Sequence, residues 1–440
     1  MIELDFGNMM SDVIGENGLS ERQVENLRPA CAKAHVEIAE RKWPGLAFMD
    51  LTEQDTSQVK EAARDVRGHS ENFLLLGIGG SALGPKTILE AMSPMNNLRR
   101  SPRVFIYDNV DPVTLTNILS MMDLDKTTAC VVTKSGSTAE TMASFMILYD
   151  RMTGTKGKIV AITDPKKGYL RQIAEKDKLT ALTIPPDVGG RYSVLCPLGL
   201  LLAEVIGVDC DELLAGAARM QEKCSDPEPW KNPAYLYGSM LHIMDKEEKR
   251  NINVMVPYSD RLRPLAEWYC QLWSESLGKL GMGSTPYPSI GTTDQHSQMQ
   301  LWMEGPRDKV VTFIRVEDHG ADITIPRVFK DTGVAYLGGH SISELFNSEE
   351  EATELALAKA GRPNMRIKVP KVDAAHLGEI FYFFEIAVAY AGFLYGINPF
   401  NQPSVEMSKN FTYGMMGREG YEEQRAEVEE ARNRVTCWRI

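Results

Sequence analysis

Short apolar runs alternate along this chain with amphipathic segments that are long enough to form helices. The strand-like runs lie at residues 73–76, 104–107, 130–133, 159–162 and 182–184, and later at 252–256, 310–316 and 365–369. Strands separated by helix-length segments are typical of a mainly parallel sheet with helices on its faces. The sequence therefore predicts an α/β fold, and we expect ligands to bind beyond the carboxyl ends of the strands.

The length of the chain predicts two such domains. A chain of 440 residues exceeds what one hydrophobic core usually organises. We expect a helical N-terminal segment at 1–40, a first domain at 41–205, a second domain at 206–412 and a charged helical tail at 413–440.

Net charge, cysteine content and apolar content indicate which partners and which cellular compartment to expect. A net charge of −12 disfavours nucleic acid and anionic membrane surfaces as partners. The seven cysteines form no Cys-x-x-Cys pair and the N-terminus carries no secretory signal, which favours a reduced, cytoplasmic protein. The longest apolar stretch, 380–395, is interrupted by Glu385, so we expect a buried helix rather than a membrane span.

A hydroxyl-rich loop follows the apolar run that ends near residue 132. Thr133, Ser135, Ser137 and Thr138 place four hydroxyl groups around Gly136, directly before a segment with helical character. Unpaired N–H groups at a helix start, together with the helix dipole and hydroxyl donors, bind anions. This loop therefore predicts a phosphate site, and the alternative is an ordinary tight turn between strand and helix.

A second loop of the same kind follows the run 73–76. Gly77, Gly79 and Gly80 permit positive φ or a close approach of the backbone, and Ser81 offers a hydroxyl at the expected helix start. The segment lacks the third glycine of a dinucleotide fingerprint and the Gly-Lys-Ser/Thr of a Walker loop. A tight turn without a ligand is again the alternative.

Two further segments carry candidate chemistry. Arg191 follows two glycines, which suits a guanidinium held against developing negative charge, although a solvated arginine in a turn fits the same pattern. Glu275 lies among the apolar residues Leu272, Trp273 and Leu277, where partial burial would suit a general base. Its spacing from Lys279 is also that of an ordinary helical ion pair.

The remaining candidates are His296, between amides and a hydroxyl, and the group Gln402, Glu406 and Lys409 near the end of the chain. A hydrogen-bonded structural histidine and an i,i+3 surface ion pair are the respective alternatives. No histidine has a second histidine or cysteine at the spacing of metal ligands, so we expect no metal site.

Six segments in this order resemble the phosphoglucose isomerase family, also called the glucose-6-phosphate isomerase family, in its shorter bacterial form. They are Gly77-Ile-Gly-Gly-Ser, Thr133-Lys-Ser-Gly-Ser-Thr-Ala-Glu, Gly189-Gly-Arg-Tyr-Ser, Glu275-Ser-Leu-Gly-Lys, Gln295-His-Ser and Gln402-Pro-Ser-Val-Glu-Met-Ser-Lys. The last segment departs from the usual pattern, because Asn401 replaces an aspartate and Ser404 replaces a glycine.

The resemblance implies reversible interconversion of glucose 6-phosphate and fructose 6-phosphate through an enediol, without cofactor or metal, on two sugar isomerase (SIS) domains. Glu275 would move the proton, Arg191 would stabilise the enediolate, and His296 with Lys409 would open the sugar ring. The implied substrate contacts are Gly80, Ser81, Thr133, Lys134, Ser135, Ser137, Thr138 and Gln402.

The resemblance also implies a homodimer, with His296 reaching the active site of the other subunit. Two alternatives stay open: a non-catalytic SIS protein that binds sugar phosphates, and an isomerase that also accepts mannose 6-phosphate.

Overall fold

The computed structural model describes residues 1–434. Within that range ten strands form two sheets of five strands each. The strands are β1 (Glu3–Asp5), β2 (Asn72–Leu76), β3 (Arg103–Tyr107), β4 (Thr127–Val132), β5 (Lys158–Thr163), β6 (Thr180–Thr183), β7 (Ile252–Tyr258), β8 (Thr285–Pro288), β9 (Lys309–Asp318) and β10 (Asn364–Lys371).

The two sheets have nearly the same strand order and connectivity. The first has the order β3-β2-β4-β5-β6 and is parallel throughout. The second has the order β1-β10-β9-β7-β8 and is parallel except for β1, which pairs antiparallel with β10. Apart from the outermost strand on one side, β7, β8, β9 and β10 therefore repeat the connectivity of β2, β3, β4 and β5.

Helices connect the strands and cover the sheets. Those before the third strand are α1 (Ser11–Ile14), α2 (Glu21–Asn26), α3 (Arg28–Ala39), α4 (Ser57–His69), α5 (Leu83–Met92) and α6 (Asn96–Arg99). Those between β3 and β7 are α7 (Pro112–Ser120), α8 (Ala139–Met152), α9 (Tyr169–Lys176), α10 (Pro197–Val205), α11 (Cys210–Lys223) and α12 (Pro233–Lys246). The remainder are α13 (Arg263–Leu277), α14 (Thr293–Glu304), α15 (Ile342–Lys359), α16 (Ala374–Leu394), α17 (Glu406–Met415) and α18 (Glu422–Arg434).

Helix α16 is the central core helix. It packs on α3, α11, α12 and α13, and it buries almost every side chain along its length. It is long and apolar enough to cross a membrane, but 89% of its most apolar window is buried inside the protein. The predicted buried helix at 380–395 is therefore confirmed, with Glu385 fully buried inside it.

The chain divides into two compact units, Met1–Pro399 and Phe400 to the C-terminus. Both sheets lie in the first unit. The second unit contains α17 and α18, which pack against each other, and Arg418 lies over the ring of Tyr413 at 4.5 Å and over that of Tyr421 at 5.2 Å.

The predicted α/β class with mainly parallel sheets is confirmed, and eight strands lie where the apolar runs predict them. The sequence pattern missed β1 and β8. The first is only three residues long, and the second contains Pro286 and Pro288, which are tolerated because β8 is an edge strand.

Candidate active site

The hydroxyl-rich loop lies at the carboxyl end of β4 and leads into α8. The hydroxyl oxygens of Thr133 and Thr138 are 2.9 Å apart, and that of Ser135 lies 3.5 Å from Thr133 and 3.4 Å from Thr138. The hydroxyl of Ser137 donates to Ser135 over 3.3 Å. Gly136 makes this turn with a φ of 64°, and a side chain there would collide with Gly168. Four hydroxyls thus converge at the start of a 14-residue helix.

Lys134 points out of the hydroxyl cluster. Its ammonium donates to the carbonyl oxygen of Val188 over 2.7 Å, and burial lowers the pKa of the ammonium. Val188 directly precedes Gly189 and Gly190, so Lys134 ties the hydroxyl loop to the segment that carries Arg191.

The glycine loop lies at the carboxyl end of β2, beside β4 in the sheet. Gly79 has a positive φ of 57°, whereas Gly77 and Gly80 do not. Gly80 is required for a different reason: a Cβ there would lie 2.2 Å from the carbonyl oxygen of Gly190. Ser81 ends a 3-10 turn two residues before α5 begins, so it does not cap that helix as expected.

The two loops flank the point where the strand order of the first sheet reverses. The chain places β3 on one side of β2 and β4 on the other, with Leu76 opposite Val131 at the strand ends. Ligands of open α/β sheets bind in the crevice at such a reversal. The loops predicted to hold the phosphate therefore lie on either side of the expected crevice.

Arg191 and Glu275 form an ion pair. The Nη1 atom of Arg191 lies 3.3 Å from Oε1 of Glu275, with the arginine side chain 1% exposed and the glutamate side chain 27% exposed. Arg191 also donates from Nε to the hydroxyl of Ser276 over 2.7 Å and from Nη2 to the carbonyl of Pro399 over 2.6 Å. The guanidinium is held in one orientation, and the alternative of a solvated turn arginine is wrong.

Glu275 lies on a polar face of α13, although its sequence neighbours Leu272 and Trp273 are buried in the core. The amide of Gln271, one turn earlier, donates to Oε2 of Glu275 over 3.0 Å. A Cβ added at Gly79 would lie 2.9 Å from the same amide nitrogen, so the glycine loop packs on Gln271. Sequence reasoning missed Gln271, and its i−4 spacing from Glu275 was the available signal.

Lys279 does not form the helical ion pair that its spacing from Glu275 suggested. Its ammonium donates to the carbonyl oxygens of Ser276, over 2.8 Å, and of Asn398, over 2.6 Å. Arg191 takes the place beside the carboxylate instead. Arg191 and Lys279 both contact Ser276, near the C-terminal end of α13.

His296 lies on another helix of the first unit, and the C-terminal candidates belong to the second unit. His296 lies in the first turn of α14 with its side chain exposed. Lys409 belongs to the second unit, where it pairs with Glu406 over 2.9 Å at the start of α17. Gln402 precedes the 3-10 turn Pro403–Val405 of that unit, and Ser404 within this turn has a negative φ.

One group of potential metal ligands occurs among residues 1–434, away from the residues described so far. Carboxylate oxygens of Glu204 and Asp209 lie within 4.8 Å of each other and of the Cys210 thiol. Arg67 and Lys60 already pair with these carboxylates, and burial raises the pKa of the thiol to about 12. These contacts are those of a structural cluster.

Fold and site together define a sugar-phosphate isomerase built on two SIS-type domains, with a hydroxyl-rich loop after β4 and a carboxylate–guanidinium pair. The sequence model of the family described as phosphoglucose isomerase matches residues 61–430. The chain is 44% identical to a glucose-6-phosphate isomerase of Rubrobacter xylanophilus over 96% of this chain and 99% of that protein. It is 39% identical to one of Carboxydothermus hydrogenoformans over 97% of both. The chain belongs to the phosphoglucose isomerase family, and it is an enzyme.

Solved structures share the fold of this chain. A protein of Thermus thermophilus described as hypothetical has a TM-score of 0.85 and 34% identity, covering 95% of this chain and all of that one. A glucose-6-phosphate isomerase of Chlamydia trachomatis has a TM-score of 0.82 at 21% identity, covering 98% of this chain and 95% of that one, and this likeness shows the fold alone.

Proposed function

We propose how this chain interconverts glucose 6-phosphate and fructose 6-phosphate, the reaction of its family: Glu275 moves a proton between the first and second sugar carbons while Arg191 stabilises the enediolate. Abstraction of a proton next to a carbonyl needs a base and a donor where oxyanion charge develops. The ion pair between Arg191 and Glu275, at 3.3 Å, is the observation that carries the proposal. Gln271 orients the carboxylate from its other side.

The phosphate is the handle of the substrate. Ser81, Thr133, Ser135 and Thr138 are proposed to hold it through hydroxyl groups, with Gly80, Lys134 and Ser137 shaping the two loops. Neutral donors suit this role because the phosphate orients the sugar and does not leave. The contacts of Gly80 with Gly190 and of Gly79 with Gln271 support a pocket whose phosphate end adjoins the carboxylate.

Ring opening is assigned to His296 and Lys409, with Gln402 as a further substrate contact. These roles follow the family motif. Cofactor and metal are absent from the scheme, because every step is a proton transfer between side chains and substrate.

Replacing Glu275 tests the mechanism. Glu275→Gln removes the base and keeps volume and polarity, so we expect turnover to fall by at least about a thousandfold while sugar-phosphate binding persists. An assay that offers glucose, mannose and fructose 6-phosphates separately measures turnover and the substrate range. Retained turnover in Glu275→Gln would reject the glutamate as base, and turnover of mannose 6-phosphate would add that substrate.

The active form is proposed to be an isologous homodimer in the cytoplasm, with nucleic acid and membrane excluded as partners. An exposed apolar segment, 319–341, is the surface that we propose a second copy of the chain covers in the dimer. Ile323, Val328, Phe329, Val334 and Tyr336 are each at least half exposed, and Phe329 has a positive φ of 53°. Aromatic side chains alone carry about 150–250 Å² each, so this surface is a large part of the roughly 800 Å² per partner in a stable interface.

The exposed segment 319–341 and the neighbour of His296 both contact helix α15. Ile325 donates its N–H to the carbonyl of His340 over 2.8 Å, which closes the segment on itself. His319 contacts Asn347 on α15 at 3.3 Å, and Gln295, the neighbour of His296, donates to Glu349 on the same helix over 2.7 Å. An interface that covers this segment would extend to His296.

Mixing two inactive variants tests whether His296 acts across the interface. Glu275→Gln and His296→Ala subunits, unfolded together and refolded, give heterodimers with one intact site if the histidine comes from the partner. Random pairing then restores roughly a quarter of wild-type activity. If His296 served its own subunit, no mixed dimer would hold an intact site, and activity would stay at the level of the parents. A fully active monomer would contradict the dimer itself.

The domain boundaries at 41–205 and 206–412 remain a proposal. The first range encloses the five parallel strands β2 to β6, and the second encloses the four parallel strands β7 to β10. Separate expression of 41–205, followed by a measurement of cooperative unfolding, checks the first boundary.

A further inference from the structure

Lys279 completes a family segment, yet none of the steps above uses it. The lysine follows the C-terminus of α13, where its half-buried ammonium donates to the carbonyl of Ser276 in its own helix. It also donates to the carbonyl of Asn398, 119 residues further along the chain, over 2.6 Å. The second bond exceeds what a helix terminus alone requires, because the first bond already caps the helix.

These bonds close a ring with the proposed catalytic arginine. Arg191 donates to the hydroxyl of Ser276 over 2.7 Å and to the carbonyl of Pro399 over 2.6 Å. Lys279 donates to the carbonyl of the same serine and to the carbonyl of Asn398, the residue before Pro399. Arg191 and Lys279 therefore bind the successive carbonyls of Pro399 and Asn398, and both also donate to Ser276. Glu275 is the residue next to that serine.

We propose that Lys279 is a positioning residue for the isomerisation: its ammonium closes the ring that holds Arg191 against Glu275. The inference rests on the roles proposed above for these two residues. Lys279 touches neither the carboxylate nor the phosphate loops, so it acts through the arginine. A misplacement of about 1 Å between reacting groups can cost a hundredfold in rate, which gives such a ring its value.

The ring needs the charged form of the lysine. Burial and then the positive charge of Arg191 lower the pKa of Lys279 to about 8, while Glu275 opposes the shift. Its two hydrogen-bond acceptors are backbone carbonyls that do not titrate. As the pH rises through this pKa, the ammonium gives way to a neutral amine with weaker donors. Activity should therefore decline on the alkaline side from about pH 8.

Three variants test the inference. Lys279→Met removes the ammonium, and we expect kcat to fall by roughly tenfold to a hundredfold with a smaller change in KM. Lys279→Arg keeps a charge that does not titrate below about pH 12, so its alkaline decline should shift to higher pH even if kcat is reduced. Lys359→Met, at the exposed end of α15, is the matched control and should leave kcat and the pH profile unchanged.

The pH profile of kcat distinguishes a positioning role of Lys279 in catalysis from a role in stability alone. A kcat of Lys279→Met within twofold of the wild type, in protein that melts cooperatively, would overturn the inference. If that variant does not fold, Lys279→Arg decides, because an unshifted alkaline decline would also overturn it. Failure here is distinguishable from failure of the proposed mechanism, since an active Glu275→Gln would reject the base whatever Lys279 does.

Discussion

Replacing Arg191 by lysine keeps the charge but removes the planar fork of donors. The native side chain is 1% exposed, and its directed contacts include those to Ser276, to Pro399 and to Glu275. A lysine offers one nitrogen on a flexible stem and cannot reach all three acceptors. Ser276 would keep the hydroxyl of Tyr192 at 3.1 Å, whereas the carbonyl of Pro399 would lose this donor.

The expected loss can be divided between stability and catalysis. One buried acceptor that loses its donor costs about 1–3 kcal/mol of unfolding free energy, which urea titration measures. Loss of a donor to developing oxyanion charge costs about 10²–10³ in kcat, which is roughly 3–4 kcal/mol. We therefore expect Arg191→Lys, and more so Arg191→Ala, to lower kcat far more than it raises KM in a coupled isomerase assay.

A different split would refute this reasoning. An unchanged kcat with a raised KM would make Arg191 a ground-state binding residue instead of an enediolate partner. Arg64→Lys is the matched control, because Arg64 is exposed on α4 and pairs with no acidic residue within residues 1–434. That variant should change neither quantity.

Three further changes probe backbone and core. Gly80→Ala should cost about 1–3 kcal/mol in urea unfolding, because its Cβ meets the Gly190 carbonyl, whereas Gly190→Ala has open space and should be tolerated. Ser404→Gly should change turnover less than tenfold, since serine already has a negative φ there, and a tenfold gain in the assay would indicate strain. Burial raises the pKa of Glu385 well above its usual value, so the wild type should lose stability as pH rises above about 4.5; melting temperatures of Glu385→Gln should depend less on pH.

Local patterns predicted the fold class and the positions of the two loops proposed to hold the phosphate. The eight strand-like runs needed only apolar periodicity, and the hydroxyls of Thr133, Ser135 and Thr138 converge because they are within six residues of one another. Such features are encoded by neighbours in the chain. The same local logic located Glu275 on a helix, but it could not tell which cation the carboxylate faces.

Contacts between distant segments account for what the sequence pattern missed. Gly80 is a glycine because of Gly190, 110 residues later, and Lys279 bonds to a carbonyl 119 residues away. Strand β1 exists because Glu3 to Asp5 pair with Arg366 to Lys368. Periodicity carries no trace of such pairings, since each partner alone is compatible with a loop.

The repeated topology is consistent with the two roles proposed for the two sheets, phosphate binding and proton transfer. In the first sheet, the loops after β2 and β4 carry glycines and hydroxyls. At the equivalent positions of the second sheet, Asp260 follows β7 and Asp318 ends β9, which is unsuitable for binding a phosphate. The second sheet instead contributes α13, the helix after β7, whose C-terminal end carries Glu275.

Helix dipoles fit this division. The proposed phosphate loop leads into the N-terminus of α8, where partial positive charge favours an anion. The proposed base, Glu275, lies near the C-terminus of α13, about 18 Å from the start of this 15-residue helix, where partial negative charge would disfavour a carboxylate. Arg191 and Lys279 both converge on that end, at the side chain and the carbonyl of Ser276. A carboxylate placed there requires cations from outside the helix, and this requirement explains why a glycine-flanked arginine and a lysine after the helix accompany Glu275.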